Sequence, residues 1–174
     1  MIGDNKMMNK WNARTSELRE AIQQTFPAER YDGVITNDDK KLDDPELDDE
    51  KELYEALKGK KWTDVPQQLL DTQPDGYVLL TDEAFAAFIA AWLMRSLESL
   101  DGENEVRDFV VYAFSPRDDM VPDTTGLVLH RMRILSSQQR RVLHSLLTEF
   151  AERDPSEFQK RLALEAVALL ESLG

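Results

Sequence analysis

The stretch TDEAFAAFIAAWLMRSLESL, residues 81–100, sets the fold class of this chain. Thr81 is a favourable helix N-cap, and Asp82 and Glu83 place negative charge in the first turn, where the helix dipole favours it. Eleven apolar residues follow without interruption. A helix that is apolar on every side must be surrounded by other elements, and eleven residues are too few for a membrane span, which needs roughly 18. The stretch predicts a buried helix over residues 82–100, at the centre of a mainly α-helical core.

The segments before this helix carry the start and stop signals of further helices. An amphipathic stripe ends at Pro27, which cannot continue a helix. Asp44 and Pro45 suit the N-cap and first position of a second helix, and Gly59 suits its end. A short helix capped by Thr63 follows. Three helices are therefore expected ahead of the central one.

The end of the chain has the clearest helical punctuation. Ser136 and Gln139 form a capping box, in which each side chain accepts a hydrogen bond from the other residue's backbone amide. DPSE at residues 154–157 repeats the pattern, with Asp154 as the expected N-cap. The short junction between the two helices predicts an antiparallel hairpin. Together with the earlier segments, this predicts a bundle of six or seven helices.

The segment between the central helix and this hairpin is ambiguous. Residues 108–114 fit a helical stripe, but they also fit a buried strand because β-branched and aromatic residues dominate. LVLHRMRIL at residues 127–135 indicates an extended or irregular chain. Helix is favoured for the first stretch, which gives a mainly α fold. The alternative is an α+β fold with a hairpin from 108–114 and 127–134.

Length and composition indicate one globular domain. The chain has 174 residues, of which 41% are hydrophobic and 32% charged. We expect a single helical domain over residues 1–174, with a flexible segment at 1–11 and surface loops at 32–44 and 116–126. The sequence has no cysteine, which excludes disulfides and thiolate metal sites. Its first residues lack the apolar core of a secretory signal, so a cytoplasmic location is expected.

Charge is unevenly distributed along this chain, whose net charge is −13. Residues 38–55 hold ten acidic residues against three lysines, a net charge of −7. Residues 124–148 hold no acidic residue and four arginines, Arg131, Arg133, Arg140 and Arg141. From Asp44 onward the acidic run suits a helix start and needs no ligand. The arginines either brace helices, form a partner-binding patch or contact phosphate, and the surrounding negative field opposes the last role.

Few residues have the spacing that catalysis or metal binding requires. The seven glycines lie far apart, so no phosphate-binding loop is formed, and no serine has a nucleophile-elbow context. His130 and His144 lack the spacing of zinc ligands. The acidic run places lysine and leucine where an EF-hand needs ligands and glycine. We therefore predict no catalytic residue, no cofactor and no metal site.

Three stretches together resemble a group of uncharacterised bacterial proteins that are classed only as a domain of unknown function. They are KGKKW at 58–62 with the LL that follows, YVLLTDEAFAAFIAAWLM at 77–94, and RILSSQQRRVLHSLL at 133–147. The resemblance covers roughly residues 16–152. Members of this family often carry a proline and tyrosines in the central helix, where this chain has FIAAW. The resemblance implies a single bacterial cytoplasmic domain and transfers no functional residue.

These observations favour a non-enzymatic, acidic protein–protein interaction module, acting as an adaptor or as an inhibitor of a basic partner. Opposite charge raises the association rate with such a partner. The predicted partner-binding residues are Asp38, Asp39, Asp43, Asp44, Asp48, Asp49, Arg131 and Arg133. The same negative charge argues against binding to nucleic acid or to an anionic membrane. The oligomeric state stays open.

Two alternatives belong to other functional classes. The first is a small hydrolase or transferase with a site around His130, Arg131 and Arg133, completed by distant carboxylates. It requires these side chains to converge in a closed pocket. The second is an acidic DNA mimic, which requires carboxylates in two rows at phosphate-like spacing. The position of the arginine segment in the fold discriminates the interaction module from the enzyme.

Overall fold

The computed structural model describes residues 2–98, 104–116 and 125–174, with side chains from residue 12 onward. This part of the chain contains eight α-helices, which are α1 (Ile2–Thr25), α2 (Asp48–Leu57), α3 (Gln67–Thr72), α4 (Asp82–Ser96), α5 (Glu105–Phe114), α6 (Thr125–Ile134), α7 (Ser137–Arg153) and α8 (Glu157–Ser172). Short 3-10 helices lie at Pro45–Leu47, Trp62–Asp64 and Gly76–Leu79. The mainly α-helical fold predicted from the sequence is confirmed, with eight helices where six or seven were expected.

Helix α4 lies at the centre of the hydrophobic core, as its sequence predicts. The Thr81 hydroxyl caps it by accepting a hydrogen bond from the Ala84 amide. Helices α1, α3, α5 and α6 pack around it, which leaves four large side chains without exposed surface, Phe88, Ile89, Trp92 and Leu93. Burial of each such side chain stabilises the fold by about 1.5–3 kcal/mol. The helix ends at Ser96, short of the predicted 82–100, and residues 99 and 100 lie outside the described part of the chain.

The last two helices form the predicted hairpin. The Ser136 amide donates to Gln139 Oε1 at 2.9 Å, and the Gln139 amide donates to Ser136 Oγ at 3.2 Å, so the capping box is confirmed. Helix α7 contributes to the core Leu143, Leu146, Leu147 and Phe150, and α8 contributes Leu162, Ala163, Ala166 and Leu170. Helix α1 packs on α7 and α5 packs on α8, so the hairpin closes one side of the bundle.

The prediction that Asp154 caps α8 is wrong. The N-cap is Ser156, whose hydroxyl accepts a hydrogen bond from the Gln159 amide. Asp154 instead follows the last residue of α7, and its Oδ1 accepts a hydrogen bond from the Ser156 amide at 2.8 Å. Its Oδ2 lies 2.9 Å from Arg107 Nε, and each of these side chains is only 2% exposed. The carboxylate therefore joins α5 to the turn between α7 and α8 through a buried ion pair.

Both parts of the ambiguous segment are helical. Helix α5 begins at the N-cap Asn104, and α6 covers most of the stretch 127–135, so the extended or irregular structure predicted there is wrong. The alternative hairpin from 108–114 and 127–134 is also wrong, because no β-strand occurs among the described residues. Val128 and Met132, one helical turn apart, are the buried residues of α6, which contacts α4 and α5. These tertiary contacts stabilise the helix although the sequence pattern of the segment favours it only weakly.

Several boundaries differ from those predicted. Residues 2–11 belong to α1, where a flexible segment at 1–11 was expected. Of the expected loop at 116–126, residues 117–124 lie outside the described chain, and the last two residues open α6. Asp44 caps the 3-10 helix that precedes α2, with its Oδ1 accepting from the Glu46 amide. Thr63 lies in another 3-10 helix, and α3 begins only after Pro66.

Residues 27–36, between α1 and α2, form no helix, and we call this segment the strap. Backbone hydrogen bonds join it to the rest of the fold. The Tyr31 amide donates to the Lys60 carbonyl at 2.9 Å, and the Gly59 amide donates back to the Tyr31 carbonyl at 2.8 Å. Further along, the Thr81 amide donates to the Ile35 carbonyl at 2.9 Å. Gly59 has a φ of +71°, which favours glycine at the end of α2. The strap is thus hydrogen-bonded to the residues that follow α2 and to the N-cap of α4.

Candidate functional site

Four of the predicted partner-binding carboxylates are exposed around the start of α2. Asp43 and Asp44 precede the 3-10 helix, and Asp48 and Asp49 lie in the first turn of α2. We call these four residues the acidic surface. The positive end of the helix dipole stabilises Asp48 and Asp49, and Asp44 accepts a hydrogen bond from the Glu46 amide. Their exposed carboxylates are available to a basic partner.

Asp38 and Asp39, which come just before this surface, have a different environment. Asp39 is half-buried, and its Oδ2 accepts a hydrogen bond from the Ile35 amide at 2.8 Å. Its Oδ1 accepts from both the amide and the hydroxyl of Thr36, at 2.8 and 3.0 Å. Asp38 forms an ion pair with Lys41 at 3.4 Å. Both Asp39 oxygens are thus engaged within the chain, so this residue holds the loop in shape next to the acidic surface.

Arg131 and Arg133, although close in sequence, lie in different environments. The Arg131 guanidinium packs over the ring of Tyr77, 5.3 Å from its centroid, and its Nη1 donates to the Ala113 carbonyl at 3.3 Å. Burial lowers the pKa of Arg131. Burial also raises the pKa of Tyr77, whose hydroxyl donates to the Phe109 carbonyl at 2.7 Å. Arg133 is exposed to solvent. Arg131 therefore braces α5 and α6, and of these two arginines only Arg133 is exposed.

The residues of the alternative enzyme site do not converge. His130 Nε2 lies 2.8 Å from Asp82 Oδ2, but these side chains are 55% and 59% exposed, so the pair is open to water. Arg131 is directed to Tyr77 and Arg133 to solvent, as described above. The second histidine, His144, contacts the Glu171 carboxylate of the α7–α8 hairpin at 3.1 Å. No closed pocket is formed by the histidine and arginines of α6 within the described residues.

A cleft with a volume of about 290 Å³ lies between α1, the 3-10 helix at 62–64, α3 and α4. Its apolar lining includes Trp62, Val65, Leu70 and Met94. Its charged lining residues are Arg19, Arg95 and Glu98, of which Arg95 and Glu98 form an ion pair. Trp62 is fixed in place because its indole Nε1 donates to the Phe26 carbonyl at 3.1 Å. We call this site the α1–α4 cleft. Polar and charged side chains make up about half of its lining.

Sequence reasoning identified the acidic surface but missed the α1–α4 cleft. The lining residues come from four separate segments between Arg19 and Glu98, and no spacing rule brings such segments together. Trp62, the aromatic residue of the lining, is buried, but its position in the sequence does not indicate a cleft. The contact between His130 and Asp82 was equally hidden, because it joins residues 48 positions apart.

Comparison with known proteins adds no family to this description. No protein-family model, no curated protein and no solved structure matches the chain. Among the described residues, no group of three or more histidine, aspartate or glutamate side chains is arranged to hold a metal ion. None of the helices in the described part has the length and apolar character needed to cross a membrane. The protein is thus defined by its fold, as an all-α helical bundle.

Proposed function

We propose that this protein is a non-enzymatic interaction module that binds a basic protein through its acidic surface. The observation that supports the proposal is the exposure of Asp43, Asp44, Asp48 and Asp49 around one helix start. These carboxylates lie in a segment with a net charge of −7, beyond the requirements of helix initiation. The proposed setting is the bacterial cytoplasm, where the module acts as an adaptor or as an inhibitor of its partner.

The electrostatics of the chain favour a basic partner over nucleic acid. A net charge of −13 attracts positively charged proteins and repels phosphates at long range, over a Debye length of about 8 Å at physiological salt. Of the two arginines in the predicted partner-binding set, Arg131 is directed into the fold and only Arg133 is exposed. Tight binding to DNA needs several phosphate contacts, and this arrangement does not supply them.

The spread of His130, Arg131 and Arg133 favours the interaction module over the hydrolase or transferase. General acid–base chemistry requires the participating groups within hydrogen-bond reach of one substrate. Here the imidazole is paired with the exposed Asp82, and the neighbouring guanidinium packs on Tyr77. The acidic surface, in contrast, needs no convergence, because steering depends on the summed field of its charges.

The proposal is tested by affinity capture with matched charge variants. The first variant combines Asp43→Asn, Asp48→Asn and Asp49→Asn, and it leaves Asp39 intact because this residue shapes the loop. The control combines Glu29→Gln, Glu105→Gln and Glu152→Gln, three exposed carboxylates elsewhere, so both variants have the same net charge. Wild-type, variant and control proteins are immobilised and exposed to a lysate of the host, followed by washes of rising salt.

We expect a basic protein that the wild type and the control retain, that the acidic-surface variant loses, and that salt elutes. Its association rate, measured by surface plasmon resonance, should fall more than its dissociation rate rises, since steering charges act on encounter. Equal retention by the variant and the control would contradict a role for the acidic surface. Displacement of the partner by duplex DNA would make the protein a DNA mimic. Direct binding of duplex DNA to the wild type at about 150 mM salt would overturn the proposal.

A further inference from the structure

The outer side of α8 carries a continuous row of exposed residues. These are Glu157, Arg161, Leu164, Ala168 and Glu171, which we call the α8 stripe. They follow one another at spacings of four and three residues, so they lie along one side of the helix, as the contact residues of a two-stranded coiled coil do. At 58%, Leu164 has the largest exposed fraction among the large hydrophobic side chains of the described chain. The stripe thus combines an exposed apolar centre with charged residues on both sides of it.

Two charged side chains of the α8 stripe are accessible to a partner. The Glu171 carboxylate is 64% exposed, although its Oε1 lies 3.1 Å from His144 Nε2. The Arg161 guanidinium lies over the exposed ring of Phe158, 5.3 Å from the ring centroid. It forms no ion pair with a carboxylate of the described residues. A partner can therefore contact one positive and one negative group, which are about 15 Å apart along the helix axis.

The order of the charges along the α8 stripe determines how two copies of it fit together. In a parallel pair each residue faces its own copy, so Arg161 and Glu171 would each meet a like charge. In an antiparallel pair centred on Ala166, Leu164 lies opposite Ala168 of the second copy, and Arg161 lies opposite Glu171. A shift of this register by one heptad places Leu164 opposite Arg161 and loses both ion pairs. The stripe is therefore complementary to itself in one antiparallel register.

We propose that two copies of this chain associate through their α8 stripes as an antiparallel, two-fold symmetric dimer. By symmetry each contact occurs twice, so two Leu164–Ala168 contacts lie between two Arg161–Glu171 ion pairs. The small Ala168 side chain lets the two helices approach closely enough for Leu164 to pack against the second helix.

Repulsion between the two copies is small at this face. Helix α8 holds three acidic and two basic residues, a net charge of −1, whereas the whole chain has −13. One pair of 16-residue helices is a small contact compared with the roughly 800 Å² per partner of a standard stable interface. The dimer is therefore weak, and its population depends on protein concentration.

Sedimentation equilibrium of the full chain, from about 5 to about 500 µM, measures the association. We expect the mass to rise from that of a monomer towards that of a dimer over this range. Arg161→Glu and Glu171→Arg should each weaken the dimer at least about tenfold, because each places two like-charge pairs in the interface. Lys51→Glu and Glu55→Arg are the matched controls, since they make the same charge changes at exposed positions of α2. They should change the dissociation constant by less than about twofold.

Combination of the two charge reversals tests the predicted pairing directly. An equimolar mixture of Arg161→Glu and Glu171→Arg proteins should associate as strongly as the wild type, because every ion pair is restored with its direction reversed. The double variant carries both changes in one chain and has the net charge of the wild type. It should also dimerise like the wild type, since its Glu at 161 faces the Arg at 171 of the second copy.

The absence of cysteine from the chain allows the register to be tested by cross-linking. Leu164→Cys and Ala168→Cys are made separately and mixed under mild oxidation. The mixture should form a disulfide-linked dimer faster than either protein alone, because the two cysteines face each other in the antiparallel register.

Four results would each overturn the proposal. The first is a monomer mass at every concentration. The second is association that both charge reversals leave unchanged, and the third is equal weakening by the α2 controls. The fourth is self-linkage of Leu164→Cys that is faster than linkage in the mixture, which would indicate a different arrangement. None of these measurements involves a basic partner, so the outcome is independent of the proposed function.

Discussion

At the scale of single residues, Arg107 and Asp154 form an ion pair that is buried inside the fold. Both side chains are 2% exposed, and Arg107 Nε lies 2.9 Å from Asp154 Oδ2. Removal of two charges from water costs several kcal/mol each, and only a partner with good geometry offsets that cost. The pair therefore makes the position of α5 against the α7–α8 turn specific, because any displacement would separate two buried opposite charges.

Loss of one partner of this pair should destabilise the protein strongly. We expect Asp154→Asn to lower the free energy of unfolding by about 3–5 kcal/mol, since it removes the negative charge that faces the Arg107 guanidinium in this buried pair. The double variant Arg107→Met with Asp154→Asn should be less destabilised than the sum of its single variants, because both charges of the pair are removed together. Urea unfolding followed by circular dichroism measures this. The exposed Asp82→Asn is the control, with a change of at most about 1 kcal/mol.

Because Tyr77 is buried, we expect the free energy of unfolding to decrease at alkaline pH. Burial raises its pKa in the folded state above the ordinary value of about 10. The unfolded chain therefore releases the phenolic proton first, and the stability that Tyr77 contributes is complete below about pH 10 and declines above it. Tyr77→Phe removes this decline and also the hydrogen bond to Phe109. Its free energy of unfolding should start lower than that of the wild type at pH 8 and approach it towards about pH 11. Parallel curves would show that Tyr77 does not titrate in this way.

The contacts that each charged side chain makes could not be predicted from the sequence. Sequence alone grouped Asp39 with its exposed neighbours, since nothing in DDKK reveals that one carboxylate binds two backbone amides of the strap. It likewise grouped Arg131 with Arg133. Residues two positions apart on a helix point in directions that differ by about 200° around its axis. Arg131 is therefore turned to Tyr77 and Arg133 to water. A prediction of direction needs the neighbouring elements, which the sequence does not place.

At the scale of elements, the capping box of α7 gives a matched pair of serines. Ser136 accepts a hydrogen bond from the Gln139 amide, whereas Ser137 is the exposed first residue of the helix. We expect Ser136→Ala to lower the free energy of unfolding by about 1 kcal/mol. Ser137→Ala should change it by less than about 0.5 kcal/mol. Equal effects in thermal or urea unfolding would mean that the cap contributes nothing specific.

Elements with strong local signals were predicted, and those made by packing were not. Helices α4 and α7 carry an N-cap and a dense apolar pattern, so their starts are at the predicted residues. Helix α6 has only two buried side chains, Val128 and Met132, and its remaining residues fit a strand equally well. Its helical state depends on contacts with α4 and α5. In DPSE the expected cap, Asp154, instead pairs with Arg107 of another helix, and Ser156 caps α8.

At the scale of the whole molecule, more than half of the net charge of −13 comes from residues 38–55, whose net charge is −7. The carboxylates of the acidic surface lie side by side along the chain, and the described residues form no metal-binding group. We therefore expect the melting temperature in about 5 mM calcium to equal that in EDTA within about 2 °C. Zinc should behave in the same way. A rise of more than about 5 °C, which at this chain length is roughly 1–2 kcal/mol, would reveal a native-state metal site.

The hydrogen bonds of the strap should keep the protein assembled after a protease cuts the loop that follows it. Lys40 and Lys41 are exposed in the loop that follows it, so a protease has access to the bond between them. The piece ending at Lys40 would still carry Leu18, Ile22 and Phe26 in the core, and its strap would remain hydrogen-bonded to Lys60 and Thr81. We expect the two fragments to elute together in gel filtration and to separate only on a denaturing gel. Dissociation under native conditions would contradict this. A two-chain form that stays assembled would allow the acidic loop to be opened, extended or replaced while the bundle keeps its shape.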